Sequence, residues 1–105
     1  MSNKSGKPNE KAHRKDPVVR AAFARILVER RRQLRLRQHE VASQSGYSEK
    51  YIGNLERRLN TPSLTAMIEI SSALEENPQD ILKEVLLLMP RFKRLEMPDP
   101  EAADI

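Results

Sequence analysis

Twenty residues, Gln38 to Arg57 (QHEVASQSGYSEKYIGNLER), constrain this chain more than any other stretch. The pattern predicts two short helices broken at Gly46. Glycine suits a helix exit, because the chain leaves through a left-handed conformation that a Cβ penalises. Ser48 is placed to cap the second helix, and Glu49 falls in its first turn, where the helix dipole favours a negative charge. Val41 and Ala42 are the apolar residues of the first helix; Ile52 and Leu55 give the second a stripe at i, i+3. Counted from Gln38, Ala42 is fifth, Gly46 ninth and Ile52 fifteenth. A right-angled helix pair needs a small contact residue, a turn glycine and a β-branched core residue at those places, and all three fall in register with the cap.

The rest of the composition agrees with helices. Leu, Ala, Glu, Arg and Gln dominate, and the chain has 3 glycines among 105 residues, which argues for one all-α domain. Cysteine is absent, so no disulfide framework or thiolate metal site is expected, in keeping with a cytoplasmic protein. No run of eighteen apolar residues occurs and the first twenty are polar and lysine-rich, so neither a membrane span nor a secretory signal is expected. The net charge of +4 is unevenly spread: residues 1–37 hold twelve Lys/Arg against three Asp/Glu, and residues 38–105 seven against twelve. A basic front half suits a polyanion, although a solvated basic tail has the same composition.

Residues 1–15, with Lys4, Lys7, Lys11, Arg14 and Lys15, lack apolar periodicity and read as a disordered basic arm. Asp16-Pro17 starts a helix along which Phe23, Ile26, Leu27 and Leu34 trace an apolar face, with Arg25, Arg30, Arg32 and Arg35 largely off it. Leu36 plugs the link before Gln38. After Arg57 a loop leads to Ser63, the cap of a fourth helix, whose wide apolar face is Leu64, Met67, Ile68, Ile70, Ala73 and Leu74. Asn77-Pro78 breaks that helix, Pro78 opens a fifth, and Pro90 is expected to stop it after Met89. The helical domain thus spans 16–89, and residues 90–105 read as an irregular acidic tail.

No catalytic constellation is visible. His13 and His39 stand alone without a ligand-spaced partner, so no metal and no cofactor are expected. Glu75 and Glu76 are adjacent and would point about 100° apart on a helix, which does not make a facing acid/base pair. No Gly-rich phosphate loop follows a strand. The reading is therefore non-enzymatic.

This order of five helices, with its turn between the second and third, resembles the lambda-repressor-like family, the Cro/CI or XRE type. Phe23, Leu27, Arg31, Leu36, Gln38, Val41, Ala42, Gly46, Ile52, Glu56, Pro62, Leu64, Ala73 and Leu74 fall at family positions. Arg35 and Arg58 stand where the family usually has glycine, and Ser71 where it has alanine, so both arginines would have to accept strained loop geometry. The resemblance implies that the helix over 48–57 enters the DNA major groove. Glu49 and Lys50 would then read bases, flanked by Ser48 and Asn54; Lys suits guanine, Glu cytosine N4 and Asn adenine. It further implies that Gln38 holds a phosphate at the start of helix two, that Tyr51 bonds another, and that Arg57, Arg58 and Asn60 track the backbone. Arg31 and Glu56 would be a structural ion pair clamping the recognition helix.

The functional expectation is a homodimeric, sequence-specific regulator of transcription, a repressor on a pseudo-palindromic operator in double-stranded DNA. Competing readings are a restriction-modification controller or an antitoxin of the same family, and an adaptor that binds protein rather than DNA. The dimer expectation rests on helix five: Ile81, Leu82, Val85, Leu86, Leu87, Leu88 and Met89 supply more apolar surface than one core-facing stripe requires. Ile81, Leu82 and Val85, with Leu88 or Met89, cover the core, leaving Leu86, Leu87 and part of Met89 for an interface. Alternatively, the tail through Phe92 and Leu95 folds back over those leucines.

Overall fold

In the computed structural model, which describes residues 16–96, the chain forms α1 (Asp16–Gln33), α2 (Gln38–Ser45), α3 (Glu49–Glu56), α4 (Leu64–Ala73) and α5 (Pro78–Glu96). There is no strand among the described residues. The basic arm over residues 1–15 and the acidic end over 97–105 lie outside them. Side-chain caps start three of the helices. Ser48 Oγ accepts the Tyr51 N–H at 3.0 Å, and Ser63 Oγ accepts that of Ala66 at 3.0 Å. Asn77 Oδ1 takes the Gln79 N–H at 2.8 Å and so begins α5. Before α2 no serine or threonine is available, and Glu40 reaches back to accept the Arg37 N–H at 2.7 Å.

Four helices end in the same way. Arg35, Gly46, Arg58 and Glu75 all have positive φ (58°, 84°, 66° and 60°). The next residue in each case bonds a carbonyl five positions back: Leu36 to Arg31, Tyr47 to Ala42, Leu59 to Asn54 and Glu76 to Ser71, at 2.8–3.0 Å. This is the left-handed closure that satisfies the last carbonyls of a helix. Only one of the four uses glycine. Arg35 and Arg58 thus adopt the geometry that their positions demand, and Glu75 ends α4 two residues before the Asn77-Pro78 break that the sequence suggests.

The core lies where α1 crosses α3 and α5, and where α2 and α4 close over the remaining sides. Phe23, Ile26 and Leu27 from α1 meet Val41, Ile52, Leu55, Ile70, Leu74, Ile81 and Val85, all fully buried. Leu36 packs half-buried against this cluster. Ser71 is buried too, and its hydroxyl has no hydrogen-bond partner within the described protein, a desolvation cost of about 1–3 kcal/mol that alanine would not carry. Polar ties lock the helices at the rim. Arg30 on α1 pairs with Glu76 at 3.1 Å and with Glu84 on α5, and Arg20 donates to Thr61 in the α3–α4 link at 2.7 Å.

Three expectations need correction. The buried face of α4 is Ala66, Met67, Ile70, Ser71, Ala73 and Leu74; Leu64 and Ile68 are 66% and 44% exposed. A helix apolar nearly all round does not reveal by its periodicity which side its neighbours will cover. Leu82 is likewise exposed, and the stripe of α5 that faces inward is Ile81, Val85, Leu88, Met89 and Phe92. Lastly, α5 does not stop at Pro90 but continues to Glu96 with the proline inside it. An interior proline removes the bond to the carbonyl four residues back and costs about 3 kcal/mol. Pro90 and Leu86 are both exposed, so water can serve that carbonyl, and burial of Phe92 two residues on offsets about 2 kcal/mol.

Candidate nucleic-acid interface

The exposed flank of α3 begins at Ser48, Glu49 and Lys50, which all face solvent. Ser48 is occupied as the helix cap, so its side chain is committed to the backbone before any ligand arrives. Glu49 and Lys50 are the two long charged side chains standing free of packing at this helix start. Behind them Tyr51 is half-buried and stacks on Tyr47 with ring centroids 5.0 Å apart. Burial pushes the Tyr51 phenol above its ordinary pKa. Tyr47, in the turn, donates its hydroxyl to Glu69 of α4 at 2.6 Å. That bond, with some desolvation and the carboxylate charge, pushes the Tyr47 phenol up to about 12.

The far end of α3 is held from inside. Arg31 reaches from α1 to Glu56 with two parallel bonds, Nε–Oε2 at 2.6 Å and Nη2–Oε1 at 3.0 Å. Its Nη1 also donates to the Leu36 carbonyl at 2.9 Å, so one guanidinium fastens α3 and the α1–α2 link together. Gln38 joins the same group, its Nε2 donating to Glu56 Oε1 at 2.8 Å. Arg31, Glu56 and Gln38 therefore form one network across three helices.

Gly53, buried in the middle of α3, lies beside that network. A Cβ at this position would stand 3.2 Å from Arg57 Nη1 and 3.5 Å from Gln38 Oε1. Arg57 folds back along α3 and donates Nη2 to Asn54 Oδ1 at 2.8 Å. Arg58 is directed elsewhere: its guanidinium lies over the Phe92 ring, 5.3 Å from the centroid. Asn60 is half-buried in the loop.

The residues named from the sequence thus fall into three groups: Ser48, Glu49, Lys50 and Tyr51 at the start of α3; Gln38, Asn54 and Arg57 around Gly53; and Arg58 against α5. Sequence reasoning missed Gly53 and the Tyr47–Glu69 contact. A glycine inside a helix is itself an unexplained cost and is the signal that could have found the first. Tyr47 and Glu69 are brought together only by the packing of α2 on α4. No group of His, Cys, Asp and Glu among the described residues could hold a metal ion, and no described helix is long and apolar enough to cross a membrane.

Two short helices joined through a left-handed glycine, the second capped, exposed at its start and clamped at its end, define a helix-turn-helix protein. The sequence pattern of the helix-turn-helix family matches residues 27–81, and the chain belongs to that family, in its XRE type. It is 37% identical over 57 residues to the uncharacterized HTH-type transcriptional regulator y4dJ of Sinorhizobium fredii, a match covering 54% of this chain and 69% of that protein. Its fold is similar to the crystal structure of the clp gene regulator ClgR from Corynebacterium glutamicum, with a TM-score of 0.62 and 23% identity over 77% of this chain and 96% of the other.

Proposed function

We propose that this protein is a sequence-specific transcriptional regulator, a repressor, that binds a pseudo-palindromic operator as a homodimer through α3 in the major groove. The observation that carries the reading is the presentation of α3. Its start exposes Glu49 and Lys50, while its end is fixed from α1 through the Arg31–Glu56 pair, so the helix is offered as a rigid rod. The charges suit the partner: Lys50 donates to guanine O6 and N7, and Glu49 accepts from cytosine N4. The name of the Sinorhizobium relative supports regulation of transcription.

Pairing of two copies is proposed through α5, where Leu86 and Leu87 are 59% and 69% exposed and Leu82 extends the same apolar surface. Tyr51, Asn60 and the outward donors of Gln38 and Arg57 would meet phosphates. Selection of bound duplexes from a random pool, followed by a salt titration of the selected site, tests the whole reading. A two-fold symmetric site and an affinity that falls steeply with salt are expected, since each neutralised phosphate releases counterions. Failure to enrich any duplex would overturn it.

A further inference from the structure

We propose that Glu69 on α4 is a positioning residue for DNA binding: through Tyr47 it holds the Tyr51 ring, and with it the hydroxyl that meets a phosphate. The inference rests on the DNA-binding reading above and adds a residue that acts without touching the duplex itself.

Two contacts lead from α4 to the start of α3. Tyr47, in the turn after Gly46, donates its hydroxyl to Glu69 Oε1 at 2.6 Å. Its ring stacks on that of Tyr51, with centroids 5.0 Å apart and planes 30° from parallel. The Tyr51 backbone is pinned separately, because its N–H goes to the Ser48 cap at 3.0 Å. Met67 and Ile70 bury α4 in the core on either side of Glu69, so the helix that carries the carboxylate is itself fixed.

The chemistry of the two phenols assigns their roles. A phenol has one proton to give. Tyr47 gives its proton to Glu69 and, with its pKa pushed up to about 12, keeps that proton at neutral pH. Of the stacked pair, Tyr51 is then the one left to donate to a phosphate. A side chain that must be ordered on binding costs affinity, and one held beforehand does not. The stack and the Glu69 bond hold the Tyr51 ring beforehand. The sign of the effect identifies this role. A carboxylate near DNA repels phosphates, so on charge alone its removal would tighten binding. Positioning through Tyr47 requires the reverse.

The test compares affinities of wild type and variants for the selected operator and for unrelated duplexes. Glu69 is exposed, so Glu69→Ala leaves the core untouched, which circular dichroism verifies. It is expected to weaken binding to all duplexes alike, by about two- to tenfold, the cost of ordering one side chain on binding. Tyr47→Phe keeps the ring and loses the proton, and should show the same loss by a second route. Glu69→Gln keeps an oxygen to accept the Tyr47 proton and drops the charge; it should bind as tightly as wild type or more tightly. Tyr51→Phe removes the phosphate donor, and adding Glu69→Ala to it should cost nothing further. Several outcomes overturn the inference while leaving DNA binding intact. They are unchanged or tighter binding by Glu69→Ala, a Glu69→Gln as weak as Glu69→Ala, a Tyr51→Phe that binds like wild type, or a Glu69→Ala loss that persists on Tyr51→Phe. Failure of the wild type to select any duplex overturns the DNA-binding reading and this inference with it.

Discussion

Arg31 and Glu56 form a two-pronged ion pair between α1 and the last residue of α3, with side chains only 13% and 8% exposed. The charges are almost out of water, so removal of one partner leaves the other desolvated. Glu56→Ala strands the Arg31 guanidinium on the Leu36 carbonyl alone and frees Gln38 as well. A loss of about 3 kcal/mol is expected, well beyond the ~0–1 kcal/mol of an exposed pair. Thermal unfolding measures it, and an unchanged midpoint would remove the clamp from the account.

Arg58 closes α3 at φ 66° and spends its side chain on Phe92. Left-handed backbone costs a residue with a Cβ about 1–2 kcal/mol, whereas glycine adopts it freely. Arg58→Ala keeps that strain and loses the ring contact, while Arg58→Gly loses the contact and sheds the strain. The glycine variant should therefore be more stable than the alanine variant by about 1 kcal/mol. Denaturant unfolding of the two side by side decides, and equal midpoints would show that position 58 carries no backbone strain.

Local chemistry was the legible part of this fold. Gly46, Ser48 and Ser63 act within a few residues of themselves, and each appears where the sequence puts it. Pro90 misled because its penalty is local while its compensation, Phe92 against the core and Arg58, comes from elsewhere in the fold. Leu64 and Ile68 misled because α4 is apolar on most sides, and only its neighbours determine what is covered. At the candidate site, residue types were readable from the resemblance. Their commitments were not: Asn54 to Arg57 and Arg58 to Phe92 depend on side-chain placement in three dimensions.

Tyr47 carries a pH dependence with a definite sign. Its phenol moves from 10.0 to about 12, chiefly through the hydrogen bond it donates to Glu69. The folded chain thus holds this proton more tightly than the unfolded one. The contact's contribution is complete below pH 10 and is lost as pH rises through about 12. In Glu69→Ala the Tyr47 titration should fall back toward its ordinary range. Phenolate absorbance followed against pH in both proteins checks this, and superimposable curves would mean that the bond does not hold in solution.

Leu86 and Leu87 test the proposed pairing. Both are among the large exposed hydrophobics, and Leu82 lies one helical turn before Leu86 on the same side of α5. Replacing Leu86 and Leu87 together with Glu leaves the core stripe of Ile81, Val85 and Phe92 untouched. A folded monomer with much weaker operator binding is expected. Sedimentation with circular dichroism reads both properties, and a variant still dimeric at micromolar concentration rules this interface out.

Lys50 and Gln38 separate base reading from phosphate holding. Lys50 is exposed at the start of α3, clear of the Glu56 network, so Lys50→Ala should leave the fold's stability within about 0.5 kcal/mol. On the selected site it should cost about 1–3 kcal/mol and relax preference at one position only. Gln38 is different, because its amide nitrogen already donates to Glu56. Gln38→Ala should weaken binding to every duplex alike and also lower stability by about 1 kcal/mol, for the lost bond to a charged carboxylate. Competition binding across single-base variants of the site, with thermal unfolding of each protein, distinguishes the two patterns. If Lys50→Ala keeps full base preference, or Gln38→Ala changes it at one position, the proposed docking of α3 is wrong.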